Sequence, residues 1–208
     1  MRPTFFICII INDEKIENVL RKEGIPMNET IKKVIEDNKE FVESKKYEEF
    51  ITNKYPDKKL AVISCMDTRL TNLLPAALNI KNGDVKMIKN AGGVISHPFG
   101  SVMRSLMVAI YELGVNDILV IGHTDCGMRG IEPAEIKSEM IKRGINEETL
   151  EMIKNCGIDI DQWLHGFDDT EESVISTVET IKKHPLIPSD VNVYGFIMDS
   201  VTGELKEL

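Results

Sequence analysis

Two short stretches of this sequence contain residue types that bind metals and handle protons. The first reads Cys65-Met66-Asp67-Thr68-Arg69, and the second reads His123-Thr124-Asp125-Cys126-Gly127. Two cysteines and one histidine are an established ligand set for zinc, and three protein ligands leave the fourth tetrahedral position open to water. An open position distinguishes catalytic zinc sites from structural ones. We therefore predict one Zn²⁺ per chain, bound by Cys65, His123 and Cys126.

Asp67 and Arg69 are the candidates for assisting the metal. Two thiolates and a neutral imidazole cancel the charge of the ion, so such a site acidifies bound water less strongly than a site of three histidines. Alternate residues of an extended segment can face the same side of a pocket. We expect Asp67 to accept a hydrogen bond from zinc-bound hydroxide while Arg69 holds the carboxylate in a charge-assisted pair. If the Asp67–Arg69 pair broke, Asp67 could take the fourth zinc position and inactivate the site. The alternative interpretation is a structural ion pair that caps the following helix.

Other titratable residues have weaker functional interpretations. Asp125 is expected to be a loop residue that faces solvent or a backbone amide rather than a catalytic carboxylate. His97, beside Pro98, could relay protons because an unperturbed imidazole titrates near neutrality, but an ordinary loop histidine has the same appearance in sequence. His165 and His184 have no motif around them and are expected at solvated loops or helix ends.

Buried strands are predicted directly before both stretches. Residues 60–63 are a continuous apolar run that ends near Cys65, and residues 118–121 are another that ends near His123. In an open parallel sheet, ligands collect beyond the carboxyl ends of the strands. The two stretches therefore meet if these strands are neighbours in the sheet.

Strands and helices alternate along the rest of the chain. Further strands are predicted at 85–88 and 191–198, with a terminal stretch at 204–205. Helices are predicted at 28–42, 47–52, 72–78, 101–113, 132–143, 147–155 and 170–183. This alternation predicts an α/β fold with a parallel sheet that is covered by helices on both faces.

Two of these helices have distinctive surfaces. Asn28 is the predicted N-cap of the first helix, whose apolar residues recur on one side and need a surface to cover them. The helix at 101–113 is apolar on nearly every side and is followed by Gly114, which favours a left-handed cap. We expect this second helix to be buried in the core.

The composition excludes several classes of protein. The 208 residues are 42% hydrophobic and 28% charged, which is typical of one globular domain without a disordered tail. The formal net charge is -9 and the basic residues cluster only in pairs, which argues against nucleic-acid binding. Four cysteines without regular spacing do not resemble a disulfide framework, so reduced thiols and a cytoplasmic location are expected.

Residues 1–26 are interpreted as an N-terminal extension to a single domain at 28–208. The apolar run at 4–11 is too short to span a membrane and has no small-residue cleavage site, so neither an anchor nor a signal peptide is favoured. Lys22-Glu23-Gly24 is encoded by purine-rich codons that resemble a bacterial ribosome-binding site, and Met27 follows at a suitable spacing. The hypothesis is an over-extended gene start, which a mass spectrum of natively expressed protein beginning at Met1 would contradict.

Three motifs, in order, resemble the beta-class carbonic anhydrases, especially their small prokaryotic members. They are Cys-x-Asp-x-Arg from Cys65, Asn-Ala-Gly-Gly from Asn90, and Gly-His-x-x-Cys-Gly from Gly122. The likeness extends between the motifs and covers the chain from about Asn28 to the C terminus. It implies a three-layer α/β fold with a mostly parallel sheet of core order 2-1-3-4 and an added C-terminal edge strand.

The resemblance also implies an activity and an assembly. The activity is reversible hydration of carbon dioxide to bicarbonate and a proton by zinc-bound hydroxide, with the backbone of Gly92 and Gly93 close to the substrate. The assembly is a homodimer or a tetramer, with the N-terminal helices packed on a partner subunit. No nucleic acid or membrane is expected as a partner.

Three other functions stay open. Hydrolysis of carbonyl sulfide or carbon disulfide would use the same zinc ligands and would require a pocket of a different shape. This chain departs from the beta-class carbonic anhydrases in residues expected at the pocket: its loop at 95–100 differs, and Gln162 is its only glutamine. A non-catalytic zinc-binding regulatory homologue would show a missing ligand or a damaged Asp67–Arg69 pair, and the sequence shows neither. A redox-sensing module would depend on Cys65 and Cys126.

Overall fold

Residues 28–208 are described by a computed structural model of the chain. The chain divides into two units, of which the first ends at Ile51 and the second begins at Thr52. Residues 1–26, interpreted above as an N-terminal extension that results from an over-extended gene start, lie outside the described residues. The single domain at 28–208 stays a prediction.

The first unit is helical. Helix α1 spans Glu29–Glu43 and is followed by a 3-10 helix at Lys46–Phe50. Asn28 is the N-cap, as predicted, because its side-chain oxygen accepts the Ile31 N–H at 2.9 Å. Four apolar residues of the α1 stripe are between 39% and 58% exposed: Ile31, Val34, Ile35 and Val42. The fifth, Phe41, is half-buried, and its ring centroid is 6.1 Å from that of Phe50. The surface that would cover this stripe is therefore absent from the described chain.

The second unit is built on a five-stranded sheet with the order β2-β1-β3-β4-β5. The strands are β1 (Leu60–Cys65), β2 (Val85–Asn90), β3 (Asp117–His123), β4 (Asn192–Met198) and β5 (Leu205–Glu207). The first four are parallel, and β5 pairs antiparallel with β4. The predicted α/β fold, its core strand order and its added edge strand are confirmed.

Helices connect the strands on both sides of the sheet. They are α2 (Leu70–Ala77), a 3-10 turn (Ala91–Gly93), α3 (Ser101–Tyr111), α4 (Pro133–Lys142), α5 (Glu147–Asn155), α6 (Ile160–Leu164) and α7 (Thr170–Lys182). Helix α6 is the one that the sequence patterns did not predict, because five residues are too few to show a helical period. None of the helices within residues 28–208 is long and apolar enough to cross a bilayer.

The two faces of the sheet carry separate apolar clusters. On one face, Ile63 and Val120 pack with residues of α3 and α7. On the other, Val62 and Ile121 pack with residues of α2, and Cys65 and Cys126 belong to this second cluster. The two cysteines therefore lie in a dry, apolar part of the molecule rather than at its surface.

Helix α3 is buried on one face only. Met103, Leu106 and Ala109 are buried, whereas Val108 is 49% and Tyr111 is 65% exposed. The prediction of a helix inside the core is wrong for this outer face, because Val108 and Tyr111 leave much of their surface exposed, although the Tyr111 hydroxyl donates to the Leu186 carbonyl at 2.8 Å. Gly114 does end the helix region with a φ of 72°, as predicted.

Gly122 allows β3 to pack closely on α7, and Gly122→Ala tests that packing. An added Cβ would lie 2.7 Å from Val174 Cγ2 and 3.1 Å from Ile197 Cδ1. We expect the substitution to lower the free energy of unfolding by about 1–3 kcal/mol, measured by urea denaturation, because the core would be overpacked. Gly127→Ala is the control, since no heavy atom lies within 4 Å of its added Cβ, and it should change stability by less than about 0.5 kcal/mol. Equal losses in the two variants would contradict the packing argument.

Candidate metal centre

The sheet brings Cys65, His123 and Cys126 together. Cys65 is the last residue of β1 and His123 is the last residue of β3, and these strands are parallel neighbours. Cys126 follows in the loop after β3. The Cys65 and Cys126 sulfur atoms are 3.8 Å apart without a disulfide, and ligand atoms from all three residues lie within 4.8 Å of one another. The arrangement that the strand positions predicted is present.

The geometry and burial of the cluster fit a metal ion. A tetrahedral zinc with Zn–S bonds of about 2.3 Å separates two sulfur ligands by about 3.8 Å. His123 is fully buried, and its Nε2 has no hydrogen-bond partner in the protein. Its Nδ1 lies 2.9 Å from the Thr124 carbonyl oxygen, which can only accept, so Nδ1 carries the proton and Nε2 presents its lone pair. A metal bound there would satisfy a buried nitrogen that is otherwise costly to leave unpaired.

Burial also controls the protonation of the ligands. It raises the pKa of the Cys126 thiol to about 11, with a further contribution from Cys65, although the Met128 N–H acts in the opposite direction. Burial lowers the pKa of His123, so this imidazole is neutral near pH 7. A metal ion must therefore displace a proton from a thiol, whereas the histidine is already in its ligating form.

Asp67 lies beside the ligand cluster and is held by Arg69. The Arg69 backbone N–H and Nε donate to Asp67 Oδ1 at 2.9 and 3.0 Å, and Nη2 donates to Oδ2 at 2.8 Å. These bonds hold the pKa of Asp67 well below its usual range. Oδ2 is 3.9 Å from His123 Nε2, so one carboxylate oxygen points to the space that the ligands share. The pair is closed in this structure, and Asp67 also accepts the backbone N–H of Arg69, the residue immediately before α2. The role of Asp67 and Arg69 at a metal site stays a prediction.

Asp125 is a second partner of Arg69 that the sequence interpretation missed. Its side chain is 86% exposed, as expected for a loop carboxylate, yet its Oδ2 accepts from Arg69 Nη1 at 2.9 Å. Its backbone oxygen also accepts from Nη2, at 2.7 Å. A signal was available: a guanidinium has five donors, more than one carboxylate can use, and Asp125 lies between two predicted ligands.

Gly92 and Gly93 lie against the end of β1. Both have positive φ values, 80° and 68°, and an added Cβ on Gly93 would lie 2.9 Å from the Cys65 backbone nitrogen. Only glycine fits this approach. Asn90 closes the turn, because its amide donates to the Val94 carbonyl at 2.6 Å and its oxygen accepts the Val94 N–H at 3.1 Å. The contact of Gly92 and Gly93 with a substrate stays a prediction.

The remaining histidines lie outside this cluster. His97 is exposed, and its Nδ1 accepts the Phe99 N–H at 3.0 Å; its role as a relay stays a prediction. His165 is exposed, as expected. For His184 the expectation of a solvated residue is wrong: it is buried, its Nδ1 accepts the Leu186 N–H, and its ring centroid is 5.1 Å from that of Phe99.

Comparisons with known proteins agree with this geometry. The family model described as "Carbonic anhydrase" matches residues 60–205. The Bacillus subtilis (strain 168) protein "Putative carbonic anhydrase YtiB" is 52% identical over 172 residues, which are 83% of this chain and 92% of that protein. A "Carbon disulfide hydrolase" of Acidithiobacillus thiooxidans is 31% identical over 159 residues, 72% of this chain and 77% of that protein.

A solved structure gives the same result for the fold. The beta-carbonic anhydrase isoform I of Trichomonas vaginalis superposes with a TM-score of 0.79 and 32% sequence identity, covering 87% of this chain and 97% of that one. The family match spans more than half of the sequence and includes both stretches that supply the candidate metal ligands. This chain therefore belongs to the beta-carbonic anhydrase family.

Proposed function

We propose that this protein catalyses the reversible hydration of carbon dioxide, in which one carbon dioxide and one water give bicarbonate and a proton. The observation that carries the proposal is the buried Cys65, His123 and Cys126 cluster with the Asp67 carboxylate oxygen 3.9 Å from His123 Nε2. These three residues would hold Zn²⁺, which when bound lowers the pKa of a coordinated water towards neutrality and so supplies a nucleophile.

Asp67 and Arg69 have distinct roles in this proposal. The low pKa of Asp67 keeps its carboxylate ionised across the working pH range, so it can accept a hydrogen bond from the nucleophile but cannot donate one. Accepting that bond orients the oxygen lone pair towards the substrate carbon. Arg69 fixes the carboxylate through two parallel hydrogen bonds, and Asp125 fixes Arg69 from the solvent side.

Hydrolysis of carbon disulfide or carbonyl sulfide is the second candidate. The observation that favours it is the relative named as a carbon disulfide hydrolase, at 31% identity over 72% of this chain. The same ligands and the same carboxylate would serve, because these linear molecules also present an electrophilic carbon. A non-catalytic role is less favoured, since all three ligands and the intact Asp67–Arg69 pair are in place.

We further propose a cytoplasmic homodimer or tetramer. Thiolate ligands are kept reduced in the cytoplasm, where disulfides are rare. The α1 stripe and the outer face of α3 both expose large apolar side chains, among them Val34 and Tyr111. Contiguous exposed apolar surface is typical of interfaces between subunits.

The assembly can be tested on helix α1. We expect multi-angle light scattering to give a dimer or larger for the full chain, and Val34→Asp to weaken association by about tenfold or more, because it buries a charge in an apolar contact. Glu36→Lys is the control, since Glu36 is exposed and lies on the side of the same helix opposite Val34. A monomeric wild type, or equal effects of the two substitutions, would exclude α1 as the interface.

Zinc binding should be stoichiometric and coupled to proton release. Calorimetric titration of metal-free protein should give one zinc per chain, with Cys126→Ser weakening binding by about 100-fold or more. The exposed Cys156 supplies the control, and Cys156→Ser should bind as the wild type does. Because the pKa of the Cys126 thiol is about 11 without metal, apparent affinity should rise with pH, by about tenfold per unit for each proton displaced. Affinity that is flat with pH, or lost equally in both variants, would contradict this ligand set.

The activity depends on Asp67 more than on Asp125. In stopped-flow assays of carbon dioxide hydration on metal-quantified protein, Asp67→Asn should lower kcat by about 100-fold or more with zinc content unchanged. Asp125→Asn should lower it by about tenfold or less, because the exposed ion pair is weak and the Asp125 backbone oxygen still accepts from Arg69. A fully zinc-loaded wild type without hydration activity would reject carbon dioxide as the substrate and leave the carbon disulfide and carbonyl sulfide candidate.

A further inference from the structure

Two side chains close the space beside Gly92. A Cβ added to Gly92 would lie 3.0 Å from Phe167 Cε1 and 3.4 Å from Met128 Cγ. Even one methyl group is therefore tightly confined on this side of the glycine pair. Met128 and Phe167 are half-buried, and both pack on the apolar cluster that contains Cys65 and Cys126.

The backbone holds these two residues together although they are far apart in the sequence. The Phe167 N–H donates to the Met128 carbonyl at 3.3 Å, and the Gly130 N–H donates to the Phe167 carbonyl at 2.9 Å. Arg129 Nε donates to the Asp168 carbonyl at 3.0 Å. We call Met128 and Phe167 together the wall. Main-chain hydrogen bonds fix the position of the wall, and substitutions of its two side chains leave these bonds in place.

Gly166 makes this close approach possible. A Cβ added at Gly166 would lie 2.0 Å from the Met128 carbonyl oxygen, a separation that no side chain tolerates. The chain therefore returns from α6 directly onto the loop that follows Cys126.

We propose that Met128 and Phe167 determine which linear electrophile reaches the metal centre, admitting carbon dioxide and excluding the larger carbon disulfide. This inference rests on the proposed function. An apolar wall offers no hydrogen bond to discriminate between these substrates, so size and packing decide. Sulfur is larger than oxygen, and side chains 3.0 and 3.4 Å from a methyl group added to Gly92 limit the room on this side of the glycine pair. In this proposal Met128 and Phe167 act by limiting that room and not by contact with the reacting atoms.

Substitutions that shorten the wall test the proposal. Hydrolysis of carbon disulfide consumes two waters and releases one carbon dioxide and two hydrogen sulfide, so hydrogen sulfide release reports it directly. Phe167→Ala and Met128→Ala should each raise the ratio of kcat/KM for carbon disulfide to that for carbon dioxide by about tenfold or more. Phe167→Leu should give a smaller rise in the same direction, and it serves as the milder variant if the alanine form does not fold.

Phe196→Leu is the matched control. Phe196 packs on the same apolar cluster from β4, but it is not among the atoms closest to Gly92. The control should change stability without changing the ratio of the two substrates. An unchanged ratio in all Phe167 and Met128 variants, or an equal change in the control, would overturn the proposal.

A binding measurement separates this proposal from the proposed function. Cyanate and thiocyanate are linear anions that differ by oxygen against sulfur, and their affinities for the metal-loaded protein can be measured by calorimetry without turnover. Shortening Phe167 should improve thiocyanate binding relative to cyanate by about tenfold. If the wild type does not hydrate carbon dioxide but this ratio still changes, the proposed function fails and the wall stands. If hydration is present and neither ratio changes, the wall proposal fails alone.

Discussion

Three donor atoms must share one buried space, and the rest of the structure follows from that requirement. Two thiols belong to an apolar cluster, and the buried His123 Nε2 near them has no hydrogen-bond partner in the protein, which is unfavourable unless a metal ion satisfies it. Parallel pairing of β1 with β3 places Cys65 and His123 at the same edge. Gly93 then lets the turn after β2 approach within reach of the Cys65 backbone. The sheet register and the glycine turn are therefore parts of the metal centre, not only of the fold.

Charge balance accounts for the arginine beside Asp67, and the number of guanidinium donors accounts for its second carboxylate partner. If a divalent ion were bound, two thiolates would neutralise it, and the nearby Asp67 carboxylate would add uncompensated negative charge to a buried site. Arg69 offsets it, and its planar guanidinium presents enough donors to reach Asp125 as well. Asp125 holds a left-handed backbone conformation with a φ of 53°, which brings both its carboxylate and its carbonyl oxygen to Arg69. The loop after His123 thus positions both the candidate ligand Cys126 and the Asp125 carboxylate that pairs with Arg69.

The sequence predicts those features that depend on local patterns. Continuous apolar runs located β1 and β3, and the residue types after them predicted the cluster of Cys65, His123 and Cys126, because parallel strands end at a common edge. Features that depend on contacts between distant residues were missed. His184 is buried and its ring contacts Phe99, which lies 85 positions earlier in the chain, and the Arg69–Asp125 pair depends on a left-handed loop residue. Phe167 stands among glycine and aspartate residues, where no periodic pattern marks it as part of a wall.

Two of the three candidate ligands and the proposed wall come from different kinds of structure, whereas Cys126 lies in the same connection as Met128. Cys65 and His123 are terminal residues of paired strands, so their positions cannot change without changing the sheet. Met128 and Phe167 belong to the long connection between β3 and β4, where main-chain hydrogen bonds fix the path and leave the side chains free to vary. Under the proposed wall, substitutions in this connection would therefore alter substrate choice without moving Cys65 or His123, because those two residues are fixed by the pairing of β1 with β3.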